Sequence, residues 1–585
     1  MPTPFRRAIA PRLIAALLAL SFGGAAVPAL AAAAAFVAGV QQRDAAFDQW
    51  ADRFAADWVR LSAQRARYTA LARAGVARLD RFLAGALDSA RRVSAETMRW
   101  SLANHLAGER FEDHAFVFSQ FGGTHIALVS FMSAAHPMRR AADVDSYLAR
   151  LAQIGERMDQ ANARARAAAA RGLLPPRFIL ERALGQVDAF LKPAADQNVL
   201  VLSLAERSAA LADLTPPARA AAIDKAAAIV GKSILPAYAR TRALLAELHP
   251  KTGDDAGIAR LPDGAAAYSQ ALASFTGSTL NAAQIHAIGL REVARIEGEM
   301  DRHLRQLGFT DGSIDVRMKA LDKTFQPAAG PDPRAAILSS YAAMVRDAEQ
   351  RSAKLFNLKP RAPVEVRREP ALTEGSASAH YSVPAPDGSL RGIFWVPLRG
   401  PSFDMIRMRS LAYHEAVPGH HFQLAIQQEL SGLPAWRTQR IFGGGSAHSE
   451  GWALYTERLA VEQGWYDGDL AGLLGALGSE LFRARRLVVD TGLHSKGWTR
   501  QQAIDYGIGA AEVERYVVWP GQACAYMLGM LRILELRDKA RLALGERFTL
   551  PAFHDVILKN GSVPLDVLGK IIDQWIADQS QAAAT

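Results

Sequence analysis

Over residues 44–240 the apolar side chains recur at three- and four-residue steps, with almost no strand-like alternation. No other feature of the chain constrains its fold so much. Ala45, Phe47, Trp50, Phe54, Trp58 and Leu61 trace one face of a helix that must be buried. Breaks fall between Gly172 and Pro176, at Thr215-Pro216-Pro217 and at Pro236, which cut the segment into antiparallel helices. The abundance of Ala, Leu, Arg and Glu supports helix throughout. At 585 residues the chain exceeds what one ordinary core can organise. The periodicity therefore predicts a helical bundle over residues 32–250 and a second region over 251–585. Four histidines of the bundle, His105, His114, His125 and His136, lack metal-like spacing and read as structural or solvated.

Residues 1–31 have the layout of an export leader. Arg6, Arg7 and Arg12 open it, Leu13 to Val27 form the apolar segment, and Ala29-Leu30-Ala31 is a small-residue cleavage site. The uncharged run continues to Val40, so an uncleaved membrane anchor is the alternative. Cleavage predicts a periplasmic or secreted protein with no integral membrane domain once the leader is gone. Cys524 is the only cysteine and cannot close an intrachain disulfide. The net charge of +10 is spread along the chain. No Lys/Arg block interleaved with aromatics predicts a nucleic-acid partner. The composition leaves the oligomeric state open.

In the second region Asn281, with Gln284 three residues on, predicts a capping box opening a helix that runs to about Leu307 and ends at Gly308. The texture changes over residues 363–398. Pro363 to Val366, His380 to Val383 and Ile393 to Val396 are short extended runs, and Asp387-Gly388 is a turn signal between the last two. They predict a hairpin or three-stranded meander, a small antiparallel sheet.

Directly after it comes Tyr413-His414-Glu415-Ala416-Val417-Pro418-Gly419-His420-His421. Neutral imidazole is the commonest metal ligand, and a carboxylate beside a bound metal serves as base for water. The run opens as H-E-x-x-H zinc motifs do, but Pro418 stands where the second histidine belongs. In a straight helix His420 would point to the far side. His421 would lie about 10 Å along the axis, at 1.5 Å per residue. Neither shares a zinc with His414 through bonds of about 2.0–2.1 Å. Proline breaks the helix and Gly419 tolerates an irregular backbone. A bulge there would rotate His420 back toward His414, with His421 as the alternative ligand. Downstream, Ser449-Glu450-Gly451-Trp452-Ala453-Leu454-Tyr455-Thr456-Glu457 reads as a helix. It carries Glu450 and Glu457 on one side, placed to supply a third ligand and a carboxylate that orients a ligand imidazole.

These two stretches, together with Asp490-Thr491-Gly492-Leu493-His494 and Arg515-Tyr516-Val517-Val518-Trp519-Pro520-Gly521-Gln522-Ala523, resemble the bacterial domain-of-unknown-function 885 family. The resemblance covers roughly residues 40–580. That family is grouped with the zincin-like peptidases whose third ligand is Glu, the gluzincins. His448 departs from a usually apolar position of the pattern. The resemblance implies a mainly α, clamshell-type helical scaffold with a small sheet before the His-Glu helix. It implies one Zn2+ on His414, Glu450 and one of His420 or His421, of which the bulge favours His420, with Glu415 as general base and a peptide substrate. The edge strand at Ala379-His380-Tyr381 would pair with the substrate backbone.

An oxyanion beside the metal needs a donor. Gluzincins with helical clamshells often use a Tyr or His from a helix downstream of the third ligand, so the resemblance implies Tyr526 or His494, with Tyr516 and Arg515 as further candidates; Tyr516 would line the substrate, and Arg515 would alternatively hold a substrate carboxylate. The expected activity is peptide hydrolysis outside the cytoplasm. The alternatives are a zinc amidase acting on cell-wall peptides and a degenerate zincin that binds peptides without cleaving them.

Overall fold

The computed structural model describes residues 26–581 apart from 62–64, 329, 371–373, 375–376 and 444. The expected leader falls largely on residues 1–25, outside the described residues. From Ala26 the backbone is one helix to Leu61. Its buried Phe47, Ala51, Phe54 and Trp58 lie on the face that the periodicity predicts. They pack with Leu79, Met98 and Leu102 of the next two helices, Arg65–Leu83 and Ser89–Gly108. The same core takes in Trp436 and Phe442 from far along the chain. A second core, from Phe118 to Leu248, closes the rest of the bundle on itself. The largest core runs through the C-terminal half. Among the described residues no single helix is long and apolar enough to cross a membrane.

The spine of the C-terminal half is the helix Leu470–Ser495, buried along most of its length. It lies along the helix Ala282–Gln306, where Gly289 allows close approach: a Cβ there would stand 2.8 Å from Leu487 and from Val488. That partner helix opens as expected. The Asn281 side chain accepts from the Gln284 amide and the Gln284 side chain from the Asn281 amide, each at 3.0 Å.

One three-stranded sheet interrupts the described helices: β1 (Val364–Arg368), β2 (His380–Ser382) and β3 (Gly392–Val396), in the order β1-β3-β2. The β2–β3 hairpin is antiparallel, as expected, and turns at Asp387-Gly388 with Gly388 at φ 75°. β1, however, pairs with β3 in parallel, so the sheet is mixed and not a meander. β1 ends beside Val396 and β2 begins beside Trp395, so the link between them stays at one end of the sheet and passes from one edge to the other. Glu374, in that link, accepts from Arg368 at the end of β1, at 2.8 and 2.7 Å, and from the Leu398 amide beyond β3, at 2.8 Å. Alternation in sequence specifies a strand's faces, not the direction of its neighbour.

Candidate metal centre

The His-Glu helix spans Met408–Glu415 and stops there. The Val417–Pro418 peptide is cis, and a new helix, His420–Glu429, begins two residues later. Gly419 lies directly against the first helix. A Cβ on it would fall 1.9 Å from the His414 carbonyl oxygen and 2.3 Å from that of Tyr413, so only glycine fits. Across the turn the Trp452 indole N–H donates to the Pro418 carbonyl at 2.9 Å. The outcome is that the His420 ring returns to 4.9 Å from the His414 ring, centroid to centroid, at 82°. An unbroken helix cannot bring residues six apart together in this way.

Glu450 arrives from the helix Ser446–Glu462. That helix crosses Ala525–Leu544 at two glycines with no room for side chains. A Cβ on Gly451 would lie 2.4 Å from the Gly529 carbonyl carbon, and one on Gly529 would lie 2.0 Å from the Ala447 oxygen. This close crossing lets Glu450 and Tyr526, one from each helix, reach a common site. One ligand atom each from His414, His420 and Glu450 lie within 4.8 Å of one another. Glu450 Oε2 is 3.6 Å from His414 Nε2 and 3.3 Å from His420 Nε2. His421 faces elsewhere: its Nδ1 is 2.9 Å from the Tyr381 hydroxyl, and burial lowers its pKa to about 4.

The donor chemistry of the cluster suits a cation. His414 Nδ1 is 2.7 Å from Glu457 Oε1, which places the proton on Nδ1 and leaves the Nε2 lone pair facing Glu450. Two acceptors that face each other in a buried site repel unless a proton or metal lies between them. Burial opposes charging His414, but its bonds to Glu450 and Glu457 outweigh burial and lift it to about 9. Burial raises Glu450 as well, and the histidines outweigh that too, holding its carboxyl far below the usual range. Nδ1 of His420 is buried without a hydrogen-bond partner among the described residues. Two imidazoles and one carboxylate are the ligand types of a three-coordinate zinc site with a fourth position open.

Glu457 is itself held. It accepts from the Ser410 hydroxyl and lies 3.6 Å from Arg483 Nη2. Burial would raise its pKa, yet Arg483 and His414 bring it down to about 2. Glu415 is buried, which raises its pKa, and it feels the charges of His414, His420 and Glu450, so its carboxyl borders the cluster.

The remaining candidates divide by position. The Tyr526 ring lies nearly parallel to His414, at 6.3 Å and 16°, and its hydroxyl feels the charge of Glu450. Arg515 stands beside it with its fork occupied: Nε and Nη2 bond Glu512 at 3.2 and 2.9 Å, and Nη1 donates to Gln522 Oε1 at 2.6 Å. Its Nε–Nη2 edge is thus taken within the protein, which opposes a two-point grip on a substrate carboxylate from that edge. Tyr516 is fully buried, and its hydroxyl accepts from Arg486 Nε at 3.1 Å, so it backs the site and does not line it. His494 is also committed. Its Nδ1 accepts from the Ile258 amide at 3.0 Å and its Nε2 lies 3.0 Å from the Tyr516 carbonyl, which leaves no ring nitrogen for an oxyanion. On the edge strand β2, His380 is exposed and near Glu369, while Tyr381 reaches inward to His421.

Arg486 and Asp490 carry roles that the sequence does not mark. With His494 they sit at four-residue steps on the spine helix, which puts them on one face toward residues 510–526. The Arg486 guanidinium lies 4.4 Å over the Tyr526 ring and donates to Glu512 at 3.2 Å. The Asp490 carboxylate accepts the Tyr268 hydroxyl at 2.6 Å and the Gly521 amide at 3.0 Å; burial raises its pKa to about 7. Gly521 at φ 82° is the turn that starts the Tyr526 helix. The motifs at 490–494 and 515–523 thus fix the backbone that presents Tyr526. The four-residue spacing was the available signal for this.

A His-His-Glu cluster, with His414 buried and His420 and Glu450 half-buried, in a mainly helical scaffold with a small mixed sheet defines the class. The chain belongs to the family "Bacterial protein of unknown function (DUF885)", whose profile matches residues 33–572. No curated protein matches it. It is similar to the crystal structure of a Colwellia psychrerythraea protein described as a "putative lipoprotein". That similarity has a TM-score of 0.81 and 34% identity, over 87% of this chain and 90% of that one. A Shewanella oneidensis protein, described as a "putative lipoprotein of unknown function", shares the fold. Its TM-score is 0.68 at 21% identity, over 91% of this chain and 99% of that one.

Proposed function

We propose that the protein is a zinc-dependent peptidase of the gluzincin type that cleaves peptides outside the cytoplasm. The observation that supports this most is the convergence of His414, His420 and Glu450, with Glu457 fixing the tautomer of His414. Zinc held by these three would keep one position open for water and lower the pKa of that water. Glu415, bordering the cluster, takes the proton of the attacking water and delivers it to the leaving amine. The Tyr526 hydroxyl donates to the oxyanion that develops at the scissile carbonyl. The edge of β2 supports the extended substrate backbone, as the family resemblance implies. The leader-like amino terminus and the description of both structural relatives as lipoproteins favour an extracytoplasmic site of action.

The test is a digest of a synthetic peptide library read by mass spectrometry, with elemental analysis of the same protein. One zinc per chain is expected, with cleavage abolished by chelator and by Glu415→Gln, while Glu415→Gln keeps its zinc. Bound zinc without cleavage of any library peptide would overturn the peptidase reading and leave a peptide-binding protein. Unchanged turnover in Glu415→Gln would remove the mechanism.

A further inference from the structure

We propose that Tyr381 and His421 are positioning residues: their hydrogen bond ties the edge strand β2 to the turn that carries His420, and so sets which peptide bond of a bound substrate meets the His414–His420–Glu450 cluster. This role rests on the peptidase reading, with β2 as the strand that holds the peptide. His421, the second histidine of its motif, otherwise has no place at the cluster. The Tyr381 hydroxyl lies 2.9 Å from His421 Nδ1, and the two rings meet edge to face at 5.4 Å and 66°. A phenol can give or take a hydrogen bond, so the pair holds in either tautomer of the imidazole. His421 is buried, which shields the bond from water.

The sheet is built to admit this pair. β3 opens at Gly392, where a Cβ would stand 2.6 Å from the Tyr381 hydroxyl and 2.8 Å from His421 Nδ1, so glycine alone leaves them room. Side chains alternate along a strand, so Tyr381 is the one β2 residue on the face toward buried Phe394. Its neighbours work on the other face. Ser382 accepts from the Trp395 indole at 2.9 Å, and the His380 ring stacks on Trp395 at 6.4 Å. β2 is bonded to β3 on one side, and among the described residues its other edge is unpaired. Such an edge takes an extended peptide through backbone hydrogen bonds. At the far end of the tether His421 follows His420 in the chain, and Gly419 seats the start of their helix against the His414 carbonyl. One hydrogen bond and one peptide unit therefore link the strand to a residue of the cluster.

A peptide laid along β2 advances about 3.4 Å per residue. The bond that is cut therefore depends on where the strand stands relative to the cluster, to within a fraction of that step. A misplacement of about 1 Å can cost on the order of 10²-fold in rate. Affinity comes from the open edge, which survives loss of the tether; alignment does not. Tyr381→Phe removes the hydroxyl and keeps the ring. With the best-cleaved library peptide its kcat is expected to fall about tenfold or more, while KM changes by less than about twofold. Zinc content and Tm should hold. Among the products, the share cut at neighbouring bonds should rise about threefold or more. His421→Phe should act in the same way, and Tyr381→Phe added to it should cost nothing further, because the two changes remove one bond.

A second readout needs no turnover. In Glu415→Gln the same peptide should protect the β2 amides from hydrogen exchange, and it should still do so when Tyr381→Phe is added. Absence of protection in Glu415→Gln overturns the proposal, because β2 then does not hold the peptide. A merely structural Tyr381 would lower Tm or raise KM and leave the cut bond where it is, and that result also overturns it. So do losses that add in the double variant. Zinc lost from His421→Phe would place His421 among the ligands and overturn it as well. If the wild-type protein cleaves no library peptide, the peptidase reading fails and the tether's role falls with it. If the wild type cleaves, and kcat and the cut bond are unchanged in both variants, the tether's role fails alone.

Discussion

Glu457 Oε1 lies 2.7 Å from Nδ1 of His414, so one nitrogen of that imidazole is committed within the protein and the other is left for the cluster. A carboxylate in this position fixes both the tautomer and the rotation of the ring, and such partners commonly contribute 10–100-fold to metal affinity. Glu457→Ala is therefore expected to weaken zinc binding about 10–100-fold, measured by competition with a chromogenic chelator. Glu457→Gln keeps an acceptor oxygen and should lose less. Equal affinity in Glu457→Ala and wild type would show that the pair has no part in metal binding.

His420 and His421 are adjacent in the chain but face different partners. His420 lies 3.3 Å from Glu450, and His421 pairs with Tyr381 at 2.9 Å. His420→Ala should lose stoichiometric zinc on dialysis, and His421→Ala should retain it. The reverse result would move the site by one residue and undo the geometry of the turn.

Gly419 is the position where the backbone itself sets the residue. An added methyl would lie 1.9 Å from the His414 carbonyl oxygen, and that atom belongs to rigid helix, not to a side chain that can move aside. Gly419→Ala should destabilise by about 3 kcal/mol or more, in the class of severe backbone clashes, and should lose metal at the same time. A denaturation midpoint within error of wild type would mean that the turn can relax.

Much of this was legible in the sequence. Pro418-Gly419 predicts a break that carries His420 back to His414, and the rings do stand 4.9 Å apart. The capping pair Asn281 and Gln284 and the buried face of the first described helix follow from local chemistry alone. What was not legible has a common cause. His494, Tyr516 and Arg515 are residue types that do catalysis, and in sequence nothing separates them from Tyr526. The difference is made by partners from distant segments: the Ile258 amide, the Tyr516 carbonyl, Arg486 and Glu512. The same holds for β1. Its residues do not tell that the link carrying Glu374 stays at one end of the sheet, which puts β1 on the far side of β3 and parallel to it.

His494 gives a prediction about acid. Burial lowers its pKa from the ordinary 6.5 to about 4, and a proton added at Nδ1 would oppose the Ile258 N–H that this nitrogen now accepts. In the unfolded chain the same histidine binds a proton near pH 6.5. Between pH 6.5 and about 4 the unfolded state therefore holds more protons than the folded one, and stability rises with pH across that window. The contribution is fully present above pH 6.5 and is lost as pH falls toward 4, on the order of 3 kcal/mol for this one group. His125 and His554, also held to about 4 by burial, act in the same direction. Urea midpoints taken at pH 7, 5.5 and 4.5 should fall steadily for the wild type. His494→Gln should be less stable at pH 7, having lost the paired hydrogen bonds, yet fall less steeply on acidification, by up to one proton's worth of slope. A variant whose slope equals that of the wild type would mean that His494 is not buried neutral, and that its two backbone contacts are not those described.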